Sequence, residues 1–298
     1  MTKKALVIGG SGFLGSHIAN CLSNNDFDVT VFDLQHSRWL LPSQKMVVGS
    51  ILDSGALGAA VEGVDVVYHL AGEANIERSN EHPKGVLELN INGGLNAIDV
   101  AAQAGVSRFM FASSVYTYGN KGSFYRVSKQ ALELILESYG EKKNLPYTIL
   151  QYGTLYGARS QKWNGLRSLL QQGLETGVIR YNGTGEERRE FIHVADAARL
   201  SIKALDEAYL NKKVIISGLQ TYTAKELLMM IQEIVDNKIT YEIHSRGNQQ
   251  DRGDHYFITP HRSQLEQPVK IVTEHFIDLS LGIVEVLDQI RMEQDMEG

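Results

Sequence analysis

The stretch Lys4-Ala-Leu-Val-Ile-Gly9-Gly10-Ser11-Gly12-Phe13-Leu14-Gly15-Ser-His-Ile-Ala-Asn-Cys21-Leu22 decides the fold. A short, β-branched apolar run leads into glycines, and then Leu14, Ile18, Cys21 and Leu22 recur at helical spacing. The residues from Gly10 to Gly15 match G-x-G-x-x-G, and Gly9, Gly12 and Gly15 also make G-x-x-G-x-x-G. Either way, glycine lets the backbone turn tightly and approach a pyrophosphate at a helix N-terminus, where free N–H groups and the helix dipole favour anions. Gly9, Gly12, Phe13, Leu14 and Gly15 are therefore candidate contacts to a dinucleotide. Asp33 closes the next apolar run, eighteen positions after Gly15. A carboxylate there can accept both ribose hydroxyls of an adenosine and repels a 2′-phosphate, which favours NAD over NADP. Arg38 nearby is placed to cover a 2′-phosphate if the loop folds back.

A second constellation lies near the middle of the chain. Ser114 ends an apolar run, and Tyr125-Arg126-Val127-Ser128-Lys129 begins eleven residues later. A tyrosine and a lysine four apart at a helix start share one face, one turn apart. An ammonium held there stabilises a phenolate, so a group of pKa near ~10 can act as a base near neutral pH. A serine hydroxyl beside the phenol can hold a substrate oxygen while its proton leaves. Ser114, Tyr125 and Lys129 thus point to redox chemistry on an alcohol or ketone. Y-x-x-x-K alone also describes an ordinary helix surface, and the glycine loop upstream is what gives it weight.

Composition narrows the partners. The 298 residues are 43% hydrophobic and 21% charged, ordinary globular values that support a large core. A formal net charge of −6 argues against nucleic acid or an anionic membrane as main partner, while leaving room for a local phosphate site. The single cysteine, Cys21, rules out an internal disulfide and a multi-cysteine metal site, and it reads as a packed thiol on the first helix. No apolar stretch approaches the ~20 residues that span a bilayer, and the chain opens Met-Thr-Lys-Lys straight into a strand. A cytoplasmic, soluble protein without metal is expected.

Strand-like runs at 4–9, 28–32, 45–48, 65–70, 107–112, 147–151 and 213–217 alternate with helical ones. That alternation predicts an α/β fold, a Rossmann-type doubly wound parallel sheet. A smaller, partly interleaved C-terminal substrate lobe is expected after it. The expected division is 1–160 for the dinucleotide domain and 161–298 mainly for the substrate lobe, with 190–217 returning to the main sheet. Helical periodicity over 84–105 and 129–139 puts apolar residues on more than one face, so a homodimer through helices near 84–105 and 125–143 is expected. The charged tail after Leu287 is expected to fray.

Taken together these residues resemble the extended short-chain dehydrogenase/reductase family, in its NAD-dependent sugar-nucleotide epimerase/dehydratase branch, from Lys4 to about Asp254. Val67-Tyr68-His69-Leu70-Ala71-Gly72 is similar to the family's H-L-A-A/G strand end, so Leu70, Ala71 and Gly72 are implied to lie along the cofactor. Asn90, in Leu89-Asn90-Ile91-Asn92-Gly93, resembles the helix asparagine that braces the preceding strand. Phe111-Ala112-Ser113-Ser114 with Tyr118-Gly119 resembles S-S-x-x-x-Y-G, and counting back five from the glycine assigns the hydroxyl to Ser114 instead of Ser113. Tyr125 and Lys129 fall on the family's base and its partner.

The substrate half resembles the family less tightly. The stretch Gly183 to Asp196 is similar to G-x-G-x-x-x-R-D-F-x-H-V-x-D, which implies that Arg189 reaches a nucleotide diphosphate. Arg252-Gly253-Asp254 resembles a later piece whose arginine grips the same group; guanidinium forks suit phosphate oxygens. Alone, either arginine also reads as a surface ion pair. There are departures. Gln151-Tyr-Gly-Thr154-Leu-Tyr-Gly157 stands where relatives read R-Y-F-N-V-Y-G, so Thr154 changes a substrate contact. Only five residues separate Gly119 from Tyr125, which implies a more open pocket. Val115 and Tyr116 follow Ser114 where the dehydratases carry Asp-Glu, and a decarboxylase-like glutamate is absent as well.

The resemblance therefore implies an NAD-dependent epimerase acting at C4 of a nucleoside-diphosphate sugar through a transient ketone. A ketoreductase or dehydrogenase would use Ser114, Tyr125 and Lys129 once instead of twice. A non-catalytic dinucleotide sensor is the third reading, and it has no need of a phenolate base.

Overall fold

Strands that are apolar at every position must be covered on both faces, which is the condition of a parallel sheet wound by crossover helices. A computed structural model of the chain describes residues 2–244, 267–273 and 275–297. The chain begins β1 (Lys4–Ile8), α1 (Phe13–Ser23), β2 (Asp28–Asp33), β3 (Lys45–Val48), α2 (Ser54–Val61) and β4 (Val66–His69). It continues α3 (Ile76–Glu81), α4 (Pro83–Leu87), α5 (Gly93–Ala104), β5 (Arg108–Ser114), α6 (Ser123–Lys143) and β6 (Tyr147–Tyr152). Then come β7 (Thr154–Tyr156), α7 (Gly165–Thr176), β8 (Val178–Asn182), β9 (Arg188–His193), α8 (Val194–Lys203) and β10 (Lys212–Ile216). Last are β11 (Thr221–Thr223), α9 (Ala224–Ile234), β12 (Thr240–His244), β13 (Val269–Lys270) and α10 (Leu279–Glu297).

Among the described residues, eight strands form one parallel sheet in the order β13-β10-β6-β5-β4-β1-β2-β3. The chain runs outward from β1 to β3, returns to β4 on the other side of β1, and then runs outward again to β6. The order thus reverses between β1 and β4, and at such a switch point, beyond the strands' C-terminal ends, open α/β sheets bind ligands. One sheet face buries Leu6, Ile8, Val67, Phe109, Phe111 and Ile149 under α2, α5 and α6. Residues compact into two units, the described parts of 1–152, 198–216 and 259–271 in one and of 153–197, 217–258 and 272–298 in the other. The second unit holds a three-stranded sheet, β11-β9-β7, and the pair β12-β8.

Two sequence expectations change. The helix over 84–105 is a continuous run from Pro83 to Ala104, but Glu88–Asn92 is a π turn within it. That wider turn re-aims a side chain, as described below. The tail after Leu287 does not fray: α10 continues to Glu297. Ile290 is buried in the second unit's core, and the buried Arg167 guanidinium pairs with Glu293. A charged sequence hid one apolar anchor and one ion pair.

Ile290→Ala should therefore destabilise the second unit by about 2–5 kcal/mol, the usual cost of emptying a buried Ile site. Denaturant unfolding of wild type and variant measures it. An unchanged midpoint would mean that the tail contributes nothing.

Candidate active site

The glycine loop leaves β1 at the switch point. A Cβ on Gly9, whose φ is +88°, would lie 2.5 Å from Ala71 N, and one on Gly15 would lie 2.1 Å from Gly9 O. Only glycine fits where these segments press together. Gly12 is the N-cap of α1, whose first turn carries no acidic side chain, so the helix start presents its amides as an anion site. The N–H groups of Leu70 and Ala71 both donate to Ile8 O, at 2.8 and 3.0 Å, which ties the H-L-A-G end to β1. Asp33 ends β2, half-buried; one oxygen accepts from Ser11 N at 2.9 Å and the other from Gln35 N at 3.4 Å. The acid at the ribose position is thus bonded to the phosphate loop itself. Arg38 is exposed. These features fit a dinucleotide with its pyrophosphate on α1 and its ribose at Asp33.

Asn90 sits at the centre of the π turn and is buried. Its Oδ1 accepts from Glu73 N at 2.8 Å, and its Nδ2 donates to Glu73 O at 3.0 Å and to Ser128 Oγ at 2.9 Å. It clamps the loop after β4, next to Gly72, to the first turns of α6. Both ends of its amide are engaged by protein groups, so it braces that loop.

Ser114 is the last residue of β5, and Tyr125 lies in the first turn of α6. Their hydroxyls are hydrogen-bonded, and Ser114 Oγ also accepts from Tyr116 N at 3.3 Å. The Tyr116 ring stands edge-on to Tyr125, with centroids 6.3 Å apart. Lys129, one turn on, is buried; its Nζ donates to Ala112 O at 2.8 Å and lies 5.8 Å from the Tyr125 ring centroid and 5.0 Å from that of Phe111. Sequence spacing and structure agree in bringing Ser114, Tyr125 and Lys129 together. Protein around the half-buried phenol displaces water and pushes the Tyr125 pKa up to about 12, against the lowering effect of the Ser114 hydrogen bond. Burial likewise pulls Lys129 down to about 8, opposed by the charge of Glu133. His69, at the end of β4, is stacked on Phe111 at 6.0 Å, with neither ring nitrogen hydrogen-bonded among the described residues. Burial, and then the charge of Lys129, lower its pKa to about 3, so it faces the site as a neutral ring.

Sequence reasoning missed the polar cluster behind this trio. Glu133 is 3% exposed; one oxygen accepts from Ser113 Oγ and from Gln151 Nε2 at 3.0 Å, and the other faces Lys213 Nζ at 3.1 Å. Lys213 also pairs with Glu137 at 2.8 Å. The signal was present in part: Tyr125, Lys129, Glu133 and Glu137 follow one another at four-residue steps, one face of a helix.

In the second unit, Thr154 is on β7 and Arg189 on β9, both half-buried. Register pairs Thr154 with Phe191 and Arg189 with Tyr222, so strand alternation puts all four on one face of the small sheet. Arg252 lies outside the described residues.

The model of the NAD dependent epimerase/dehydratase family matches residues 5–216. The chain is 26% identical over 264 residues to an uncharacterised UDP-glucose epimerase of Bacillus subtilis, covering 80% of this chain and 84% of that one. It is 28% identical over 249 residues to a putative UDP-glucose 4-epimerase of Methanocaldococcus jannaschii, covering 76% and 81%. Among solved structures, it is similar in fold to a UDP-glucuronic acid 4-epimerase of Bacillus cereus in complex with UDP-glucuronic acid and NAD. That likeness has a TM-score of 0.83 at 22% identity and covers 97% of this chain and 99% of that one.

Asp33 should set cofactor choice. Calorimetry should show tighter binding of NAD than of NADP, and Asp33→Ala should flatten or reverse the preference, because it removes both the repulsion of a 2′-phosphate and the acceptor for ribose hydroxyls. A wild-type preference for NADP would mean that Arg38 outweighs the acid.

Proposed function

The chain belongs to the NAD-dependent epimerase/dehydratase family, and on that premise we propose that it inverts C4 of a nucleoside-diphosphate sugar through a transient 4-keto sugar. One observation carries the reading. The hydrogen-bonded Ser114–Tyr125 hydroxyl pair stands beside buried Lys129, and Val115 and Tyr116 follow where an acid would be needed to expel water from the neighbouring carbon. Relatives described as UDP-glucose epimerases support the same reaction class.

NAD, when bound, supplies a hydride acceptor that later returns the hydride, and its oxidised ring carries positive charge. The protein supplies the proton chemistry. Tyr125, ionised beside the Lys129 ammonium, takes the proton of the 4-hydroxyl, and Ser114 hydrogen-bonds that oxygen. The phenol holds the proton while the ketone turns over, and gives it back to the oxygen on the sugar's other face. The phenol's resting pKa of about 12 must fall for this, and positive charge close to the ring is what lowers it. The first unit would hold NAD, with Gly9 to Gly15 at its pyrophosphate and Asp33 at its ribose. The second unit would hold the sugar nucleotide, with Arg189 on the diphosphate and Thr154 near the sugar. Val127 and Leu134, exposed on α6, suit a homodimer packed through that helix. No helix among the described residues is long and apolar enough to cross a membrane.

The test is to incubate the protein with NAD and a panel of nucleoside-diphosphate sugars. Interconversion of C4 epimers without net NADH is expected, whereas accumulating NADH would point to a dehydrogenase. Tyr125→Phe should cost roughly 10²–10⁴-fold in turnover while NAD binding stays near wild type. Ser114→Ala should cost less, because it removes an orienting hydrogen bond and spares the base. A Tyr125→Phe variant with full turnover would sink the assignment.

Arg189→Ala should weaken UDP binding roughly ten- to a hundredfold, since hydrogen bonds to charged groups are worth about 1.5–3 kcal/mol. NAD affinity should barely move. Titrations of both ligands on wild type and variant separate a diphosphate clamp from a folding defect, which would weaken both.

A further inference from the structure

We propose that Glu133 is a positioning residue whose carboxylate, locked by Ser113, Gln151 and Lys213, keeps the buried Lys129 ammonium charged beside Tyr125. The inference rests on the catalytic reading above and deepens it. Lys129 has little water around it, and its one hydrogen-bonded acceptor described is neutral, the carbonyl of Ala112. A backbone carbonyl orients an ammonium but does not balance its charge. Of the groups facing Lys129, His69 from β4 is neutral, Phe111 from β5 is a ring, and Tyr125 on α6 is neutral until it gives up its proton. The carboxylate that acts on Lys129 is Glu133, one helical turn further along α6.

Glu133 is surrounded by donors. It receives hydrogen bonds from Ser113 of β5 and Gln151 of β6, whose positions are register partners, so one sheet face aims both donors at α6. Lys213 of β10 faces its other oxygen, and Glu137, the partly exposed end of the row, pairs with Lys213 in turn. Burial alone would lower the Lys213 pKa, but the two glutamates hold it raised and the lysine charged. Charges therefore alternate Lys129, Glu133, Lys213, Glu137 from the catalytic phenol outward. Gln151 is neutral, so the cation facing Glu133 comes from β10, the next strand of the sheet. A cation fixed on Glu133 by its own acceptors leaves Lys129 free to keep its direction toward Ala112 O and the phenol.

The test must distinguish charge from packing. Loosening the site would let water in and move the Lys129 pKa up toward its solution value, whereas losing a facing anion moves it down. Glu133→Gln keeps an acceptor for Ser113 and Gln151 and deletes only the charge. In NAD-loaded protein with ¹³Cε-labelled lysine, the Lys129 resonance is assigned by its loss in Lys129→Met and titrated by NMR. We expect the wild-type midpoint to fall by about one to three units in Glu133→Gln. Glu133→Asp, which keeps the charge, should restore most of it. The alkaline limb of kcat should move the same way, with KM within about twofold. A midpoint that stays or rises in Glu133→Gln overturns the proposal whatever the substrate is. A midpoint that falls in a protein that turns over no nucleotide sugar overturns the functional reading and leaves this one standing. Should Glu133→Gln fail to fold, the same change is made in Lys213→Met, where no buried cation is left unpaired: the Lys129 midpoint should be lower in the double variant than in Lys213→Met alone, and an equal or higher midpoint overturns the proposal.

Discussion

Burying the Lys129 ammonium takes it out of water, and an unmatched ammonium inside a protein sheds its proton instead of staying charged. The site is arranged around that constraint. His69 is kept neutral next to it, Ala112 offers an oriented carbonyl, and a row of alternating charges on α6 and β10 extends behind it. In the proposed mechanism the cation is needed because burial pushes the Tyr125 phenol up to about 12. A charged interior is then what lowers that one proton affinity. Replacing such a row with apolar groups could leave stability unharmed, as buried ion pairs often add none, but it would remove the reason for the tyrosine.

Topology delivers these groups to one place. The sheet order reverses between β1 and β4, so the glycine loop and the H-L-A-G end emerge side by side, and β5 ends beside β4 with Ser114. Helix α6 then starts within ten residues of Ser114, close enough for Tyr125 to meet the serine it follows. Asn90 joins the parts: a π turn swings its amide in, and three hydrogen bonds tie the loop after β4 to the start of α6.

Local features were the legible ones. Glycine spacing, the acid after β2 and the tyrosine–lysine step each lie within one element or one turn, so their chemistry can be read by counting. The strands of the large sheet up to β6, and β10, were legible because they carry short, dense apolar runs. What escaped depends on contacts distant in sequence. Lys213 sits eighty positions from Glu133 and meets it only because β10 pairs with β6. The π turn looks like any helix to a periodicity count, since one extra residue leaves the apolar pattern almost intact. The tail reads as solvent-facing by charge, and Ile290 with the Arg167–Glu293 pair holds it in the fold.

The hydrogen bond from Ser11 N to Asp33 has a consequence for anyone redesigning this protein. If Asp33 sets cofactor preference as proposed, that preference and the shape of the glycine loop share one carboxylate, so they are not separable modules. A swap to a basic or small residue at 33 would leave an amide of the glycine loop without its acceptor, and tolerance for the phosphorylated cofactor would come with a slacker grip on any dinucleotide. Asparagine retains an acceptor oxygen for that amide while dropping the charge, which makes it the more economical starting point for retargeting. On the reading proposed above, a choice between NAD and NADP is tied to how the first loop is pinned.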